Sequence, residues 1–529
     1  MRRRALLQVA AVLALGGGTG ARMNAQTGAG QGMGLDTPED MIAAARLRAG
    51  APYDPATPAL ASPFDSLGYD SHRGIRPRPG GAGQIALGGP FQADLLPPGW
   101  LFADPVAVQL PGQDAPVPFD AALFSYDPRY FPDGTPTVDA PQMGFSGLRL
   151  TAPLNAPDRR DELAVFQGAS YFRALARGAA YGLSARGLAL GTGGPAPEEF
   201  PVTRHIAVFD ADDRAVHMGC LIDSPRAAAA LIVRIAPGTA QAPDTVMDCA
   251  LHLFARETIV DAGIAPLTSM FQHADIGPGF IDDFRPAVHD SDVLVMDNGA
   301  GERLWRPLMN PAQVQLSAFA DDGPRSFGLL QSPDSFERFR DAEGAYHRRP
   351  SAMVEPLGDW GAGAVMLLEI PTIDEYADNI VAFWRPAAPL EPRRAHRFDY
   401  RLRWQPAGLE ALAPGAHAFA LTPVRSASGV EPVSREGRLF VIDFAPAPGA
   451  ALPDAGALAL DFGTVEGARI DGQALYRMTP GLLRASFVLI PGDGQGVSEL
   501  RLRLRDRDSG AVAAPVWMFR WTRARDGGV

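Results

Sequence analysis

The sequence predicts an all-β protein made of a large β domain followed by a small β-sandwich. Three observations carry this. Short apolar or alternating runs recur from about residue 100 to the end, at the period of strands. The chain holds 57 glycines and 49 prolines, which favour turns over long helices. Helical periodicity is scarce after residue 50.

The elements follow in order. MRRRALLQVAAVLALGGGTGA has a basic start, an apolar run Val9–Leu15 too short to cross a bilayer, and small residues after it. This is a signal-peptide pattern over residues 1–25, with cleavage expected after Ala21 or Ala25, and Arg3-Arg4 gives it the twin-arginine form. No later segment is long and apolar enough to span a membrane, so an exported protein is expected. Thr37 reads as an N-cap, with Pro38 in the first turn of a helix through Met41–Leu47. Strand patterns then appear at Phe145–Leu150, Glu162–Phe166, His205–Phe209, Val365–Leu368 and Ile380–Trp384, with turns such as Pro132-Asp133-Gly134 between them. Asp334–Glu343 reads as a short helix or turn. The large domain is drawn over 35–384 and a proline-rich linker over 385–396. About seven strands over 397–525, beginning with Phe398–Trp404, have the size of an immunoglobulin-like sandwich.

Composition excludes several functions. A net charge of −12 argues against nucleic acid as a partner. The chain has no lysine, which removes P-loop and Schiff-base chemistry. Gly191-Thr192-Gly193-Gly194 lacks a following helix, and no G-x-S-x-G elbow occurs. His289, Asp290 and Asp292 share one loop, but one histidine and two acids are a weak metal signal; no metal or organic cofactor is expected. Cys220 and Cys249 leave a disulfide and two buried thiols both open.

The segment VMLLEIPTIDEYADNIVAFW, residues 365–384, raises a sharper question. Glu369, Asp374, Glu375 and Asp378 lie between two core-like strands, with no basic residue in the stretch. Burying unpaired carboxylates is costly. A second acidic set runs from Asp282 to Asp292. Two separated carboxyls, one protonated and one ionised, are what glycoside hydrolysis needs. Trp305, Trp360, Tyr346, Arg173 and Arg306 supply aromatic faces and planar forks suited to sugars.

Longer segments carry a resemblance. GFSGLRLTAPLN at 144–155, DELAVFQGASYFRALARGAAYGLSARGLAL at 161–190, DFRPAVHDSDVLVMDNGAGERLWRPL at 283–308, FERFRDAEGAYHRRPSAMVEPLGDWGAGAVMLLEIP at 336–371 and DEYADNIVAFWRP at 374–386 resemble the periplasmic glucan biosynthesis proteins, the OpgG/OpgD (MdoG/MdoD) family. The resemblance runs from about residue 35 to the C-terminus, and the leader makes it more like the D branch. It implies a galactose-mutarotase-like β-sandwich followed by an immunoglobulin-like domain. It also implies a β-1,2-linked glucan as partner, with inverting endo-hydrolysis in some members; homodimers occur in the family, and one is left open for this chain. The general acid falls on Asp378, a nearby site glutamate on Glu375, the opposing acidic position on Asp290, and a tyrosine near the reacting centre on Tyr346. Tyr376 stands where the family usually has threonine, and residues 423–444 replace a glycine-rich stretch. The alternative is a non-catalytic glucan-binding or scaffold protein that assists synthesis. A mutarotase would need a His/Glu pair on neighbouring strands, which the sequence does not reveal.

Overall fold

The computed structural model describes residues 34–526 apart from 82, 278–281, 410–418, 434 and 479–480. The leader lies outside the described residues. Among them, strands dominate, in sandwich-like sheets of 11, 13 and four strands with two small two-stranded ribbons.

The early helix spans Pro38–Ala49. The Thr37 side chain accepts from the Asp40 N–H at 3.2 Å, Glu39 and Asp40 sit in the first turn, and Arg46 and Arg48 in the last, so cap and macrodipole agree. Met41 and Ala45 are buried against Ala207, Leu221, Ala230 and Phe254 on one sheet face. The segment expected as a short helix or turn holds a single 3₁₀ turn, Phe336–Arg338.

The 11-stranded sheet runs from Gln84–Gly88 at one edge to Gln315–Asp322 at the other. Ala362–Glu369 and Ile380–Pro386 lie inside it, paired antiparallel from Glu369↔Ile380 to Gly363↔Pro386. Side chains alternate across the sheet: Ala382 and Trp384 join the main core, whereas Val381 and Phe383 pack with Met366 and Leu368 on the opposite face. This register puts residues 370–379 at one end of the strand pair and Trp360 near the other.

The 13-stranded sheet corrects the expected domain boundary. Ala395–Gln405, taken from sequence as the first strand of the small domain, pairs with Thr245–Ala255 and with Ser351–Pro356 inside the large domain. Residues 387–394 are therefore a crossing between the two large sheets rather than an interdomain linker. The small domain has seven described strands from Leu421–Val430 to Val516–Thr522, and its core holds Phe440, Phe462, Phe487, Trp517 and Phe519. Its strand Val516–Thr522 continues the large sheet by parallel pairing of Leu304↔Val516 and Trp305↔Trp517.

Cys220 and Cys249 are free and buried. They lie on two strands separated by Ala227–Ala236, with Cys220 opposite Leu231 and Cys249 opposite Val233. Two strand spacings are roughly 10 Å, beyond the ~7 Å Cα limit for a disulfide. Burial pushes the Cys220 thiol up to about 12.

Candidate active site

The loop 370–379 is pinned at three places. At its end, the Asn379 carboxamide accepts from the Phe271 N–H at 2.8 Å and donates to the carbonyls of Phe271 at 3.0 Å and Ile370 at 2.9 Å. At its start, Asn310 accepts from the Thr372 N–H at 3.0 Å and donates to the Thr372 carbonyl at 2.8 Å. In the middle, Arg285 donates to Glu375 at 2.5 Å, to Asp341 at 3.0 Å and to Asp283 at 2.8 Å. The two asparagines use backbone groups that the irregular loop leaves without a ladder partner, whereas Arg285 holds side-chain carboxylates.

The four carboxyls between the strands have four different fates. Glu369 is buried and paired with Arg306 of the facing sheet at 3.0 Å, and it accepts from the Met309 N–H at 2.8 Å. Asp374 is exposed and accepts from the Tyr376 N–H at 2.9 Å. Glu375 meets Arg285 and accepts from the Tyr346 hydroxyl at 2.8 Å. Asp378 is half-buried and receives no side-chain hydrogen bond among the described residues. Burial and the Asp290 charge raise its carboxyl to about 6, against the opposing pull of Arg173, Arg349 and Arg186.

Asp290 follows the short strand Val288–His289, which pairs with Phe271–His273. Its side chain is buried and ion-paired with Arg349. Burial raises this carboxyl while Arg349 opposes the shift. The Arg349 guanidinium also lies 4.1 Å from the Tyr346 ring centroid. Gln331 fixes the layer beneath: its amide donates to the carbonyls of His289 at 2.9 Å and Tyr346 at 2.8 Å, and its oxygen lies 2.7 Å from His289 Nδ1. Ala345, just before Tyr346, has φ 46° and ψ 39°, a left-handed conformation that costs an alanine of order 1 kcal/mol.

Asp378, Asp290, Glu375, Tyr346 and Arg173 thus form one cluster, linked by the contacts above and by the Arg173 charge felt at both aspartates. Three other candidates do not join it. Trp305 is buried on the seam strand beside Trp517 and borders a cavity of about 40 Å³ with His289, Asp292 and Arg425; that space suits a water and not a sugar ring. Arg306 is buried, spent on Glu369, and lies 5.5 Å from the Phe519 ring centroid. Trp360 packs on Trp384, Phe398 and Tyr400 at the far end of the strand pair, its indole N–H donating to the Asp399 carbonyl at 3.2 Å. Large aromatic and basic side chains are as useful to a core as to a ligand, and sequence does not separate the two uses.

Sequence reasoning missed Arg349, Gln331, Asn379, Arg285 and Arg186. Arg186 is buried between the rings of Tyr171 and Phe200, at 5.2 and 4.9 Å from their centroids, and donates to Glu198 at 2.7 Å. Its Nε and Nη2 are buried without a hydrogen-bond partner among the described residues, and its charge acts against the raised proton affinity of Asp378. Asn379 and Arg349 lie inside the quoted motifs ADN and YHRRPS, and that adjacency was the available signal. His289, Asp290 and Asp292 turn to separate partners, Asp292 accepting from Ser332 at 2.5 and 2.7 Å, and no metal-type cluster is found among the described residues.

The family profile described as "Periplasmic glucan biosynthesis protein, MdoG" matches residues 37–521. A protein of Vibrio cholerae named glucans biosynthesis protein G is 41% identical over 500 residues, covering 92% of this chain and 86% of its own. A protein of the same name from Shewanella frigidimarina is 40% identical over 501 residues, covering 92% and 84%. Both curated relatives bear the G name, and neither supports the D-branch leaning. With the match spanning both domains and the whole carboxyl-bearing loop, this chain belongs to the periplasmic glucan biosynthesis protein family.

Proposed function

We propose that this periplasmic protein trims a β-1,2-linked glucan by inverting endo-hydrolysis, with Asp378 as the general acid. The single observation that supports this is the Asp378 carboxyl, raised to about 6 and receiving no side-chain hydrogen bond among the described residues. A carboxyl whose proton affinity is raised toward neutral pH still carries a proton in part of the population there, and that proton passes to the bridging oxygen as the glycosidic bond breaks. Water then bonds to the freed anomeric carbon from the opposite face, and its proton passes toward Asp290. Asp290 is sealed behind Arg349, so that proton travels through intervening groups, with the Tyr346–Glu375 pair beside the path.

The test is incubation of the purified protein with linear β-1,2-glucan. New reducing ends, released first as the α-anomer by NMR, are expected. Asp378→Asn is expected to abolish them while glucan binding persists. No new reducing ends from the parent protein, with binding intact, would favour the second reading: a glucan-binding or scaffold protein that assists synthesis. That reading draws on Asp290, which is buried and ion-paired with Arg349. The D-branch assignment rests only on the twin-arginine leader, and homodimerisation only on the family resemblance; sedimentation of the purified protein checks the latter.

A further inference from the structure

The small domain reaches the loop 370–379 through its last described turn, Arg523–Asp526. Arg525 is buried there, and its fork has three destinations: Nε donates to the Asn310 carbonyl at 2.7 Å, Nη2 to the Ile276 carbonyl at 3.3 Å, and Nη1 to Asp526 at 2.7 Å. Asp526 is fixed in turn, its side chain accepting from the Thr522 N–H at 2.9 Å and its carbonyl from Arg438 at 3.0 Å. Asn310 spends its side chain on Thr372, at the start of the loop, and on the Gln272 carbonyl at 3.2 Å. Gly277 makes room for the fork: a Cβ there would collide with Arg525 Nη2.

A second grip acts on the same support. Arg425 reaches Asp275 at 2.5 Å, and the Ser428 N–H donates to the Asp275 carbonyl at 3.3 Å. Both hold the segment that follows Phe271, the residue pinned by Asn379. Each end of the loop is therefore bonded to a piece of the large domain that the small domain itself holds.

We infer that Arg525 is a positioning residue: by fixing Asn310, and through it Thr372, the small domain sets where the loop carrying Asp378 stands. Its consequence for turnover rests on the proposed role of Asp378. A charge-assisted fork suits this task, because three acceptors fix its plane and a single ammonium cannot satisfy all three.

The experiment is hydrogen exchange of the full chain carrying Arg525→Gln, Arg525→Lys or Asn310→Ala, read on the peptide covering 370–379 and on the core strands. Both Arg525→Gln and Asn310→Ala are expected to speed loop exchange about tenfold while core strands stay protected. Arg525→Lys is expected to recover part of the loss. On linear β-1,2-glucan, kcat is expected to fall about tenfold with KM within about twofold, since a small misplacement of a reacting group acts on turnover. Unchanged loop exchange, or uniformly faster exchange across the chain, overturns the inference. If Arg525→Gln fails to fold, Arg525→Lys decides, with loop exchange expected to stay faster than the parent's, because Asn310→Ala keeps the carbonyl that Arg525 holds. If the parent protein cleaves no glucan, the proposed hydrolysis falls and the exchange data still decide this inference.

Discussion

At the scale of the residue, Asp378 matters because its neighbours push in opposite directions. Burial and Asp290 favour the proton, while three arginines favour its loss. The outcome, about 6, lies above the ordinary aspartate value of 3.8. Stability follows with a definite sign. Between those two pH values the folded protein holds a proton that the unfolded chain has released, so the ionised group weakens the fold as pH rises through this window. Asp378→Asn removes that penalty. The variant is expected to match the parent near pH 4 and to be more stable at pH 7–8, by at most ~3 kcal/mol; thermal melts across pH check this. Equal pH dependence in the two proteins would show that position 378 does not titrate in that window. Turnover is expected to fall as pH rises above about 6, the mark of an acid needed in its protonated form.

Glu369 shows the opposite arrangement. Only nine positions from Asp378, it is buried and committed to Arg306. Arg306→Met leaves that carboxylate without its partner, and a loss of ~3–5 kcal/mol is expected in urea unfolding. Adding Glu369→Gln is expected to restore much of it. Arg306 and Glu369 thus hold the two sheets together, and glucan binding is not expected to report on them.

At the scale of the element, the loop 370–379 is irregular yet tied down. Its stiffness comes from Asn310, Asn379 and Arg285. Asn379 satisfies three backbone groups, two on Phe271 and one on Ile370. Asn379→Ala leaves them buried without a partner, at a cost of ~1–3 kcal/mol. It is expected to lower kcat more than glucan affinity, since it frees Asp378 without removing it; steady-state kinetics with a binding isotherm separate the two. Tyr376 and Ile373 are exposed on this loop, which agrees with a turn that faces solvent.

At the scale of the whole molecule, the two sandwiches share a sheet. The pairing of Leu304 with Val516 is reinforced by Arg501 and Arg503, which meet Glu302 at 2.6 and 3.2 Å. The Trp517 indole also donates to Ser426 at 2.9 Å across the small domain's two sheets. A seam made of backbone pairing and buried tryptophans couples the unfolding of its two sides. Calorimetry is expected to show one thermal transition for the full chain. Two resolved transitions would show that the seam does not couple them.

Much of the fold was legible in the residues. Alternation marked Glu162–Phe166 and His205–Phe209, a continuous apolar run marked Ile380–Trp384, and strands lie over each. Thr37-Pro38 marked the helix start at the observed residue. These features are local: a cap or a pleat is decided by residues adjacent in the chain. The motifs DEYADN, VHDSD and AYHRRPS named positions that the fold does bring together.

Tertiary structure decided what each side chain is used for. Trp305, Trp360 and Arg306 looked like ligands for a sugar and proved to be core, because pairing with Trp517, Phe398 and Glu369 depends on strands far away in sequence. Ala395–Gln405 looked like the start of a second domain and pairs within the first, since a strand's pattern shows that it is buried but not beside what. The raised proton affinity at position 378 is of the same kind. It arises from burial and the Asp290 charge, held against the opposing pull of Arg173, Arg349 and Arg186, groups gathered from four separate segments around one partly dehydrated carboxyl. Charge and desolvation act through space, and only the folded chain sets those distances.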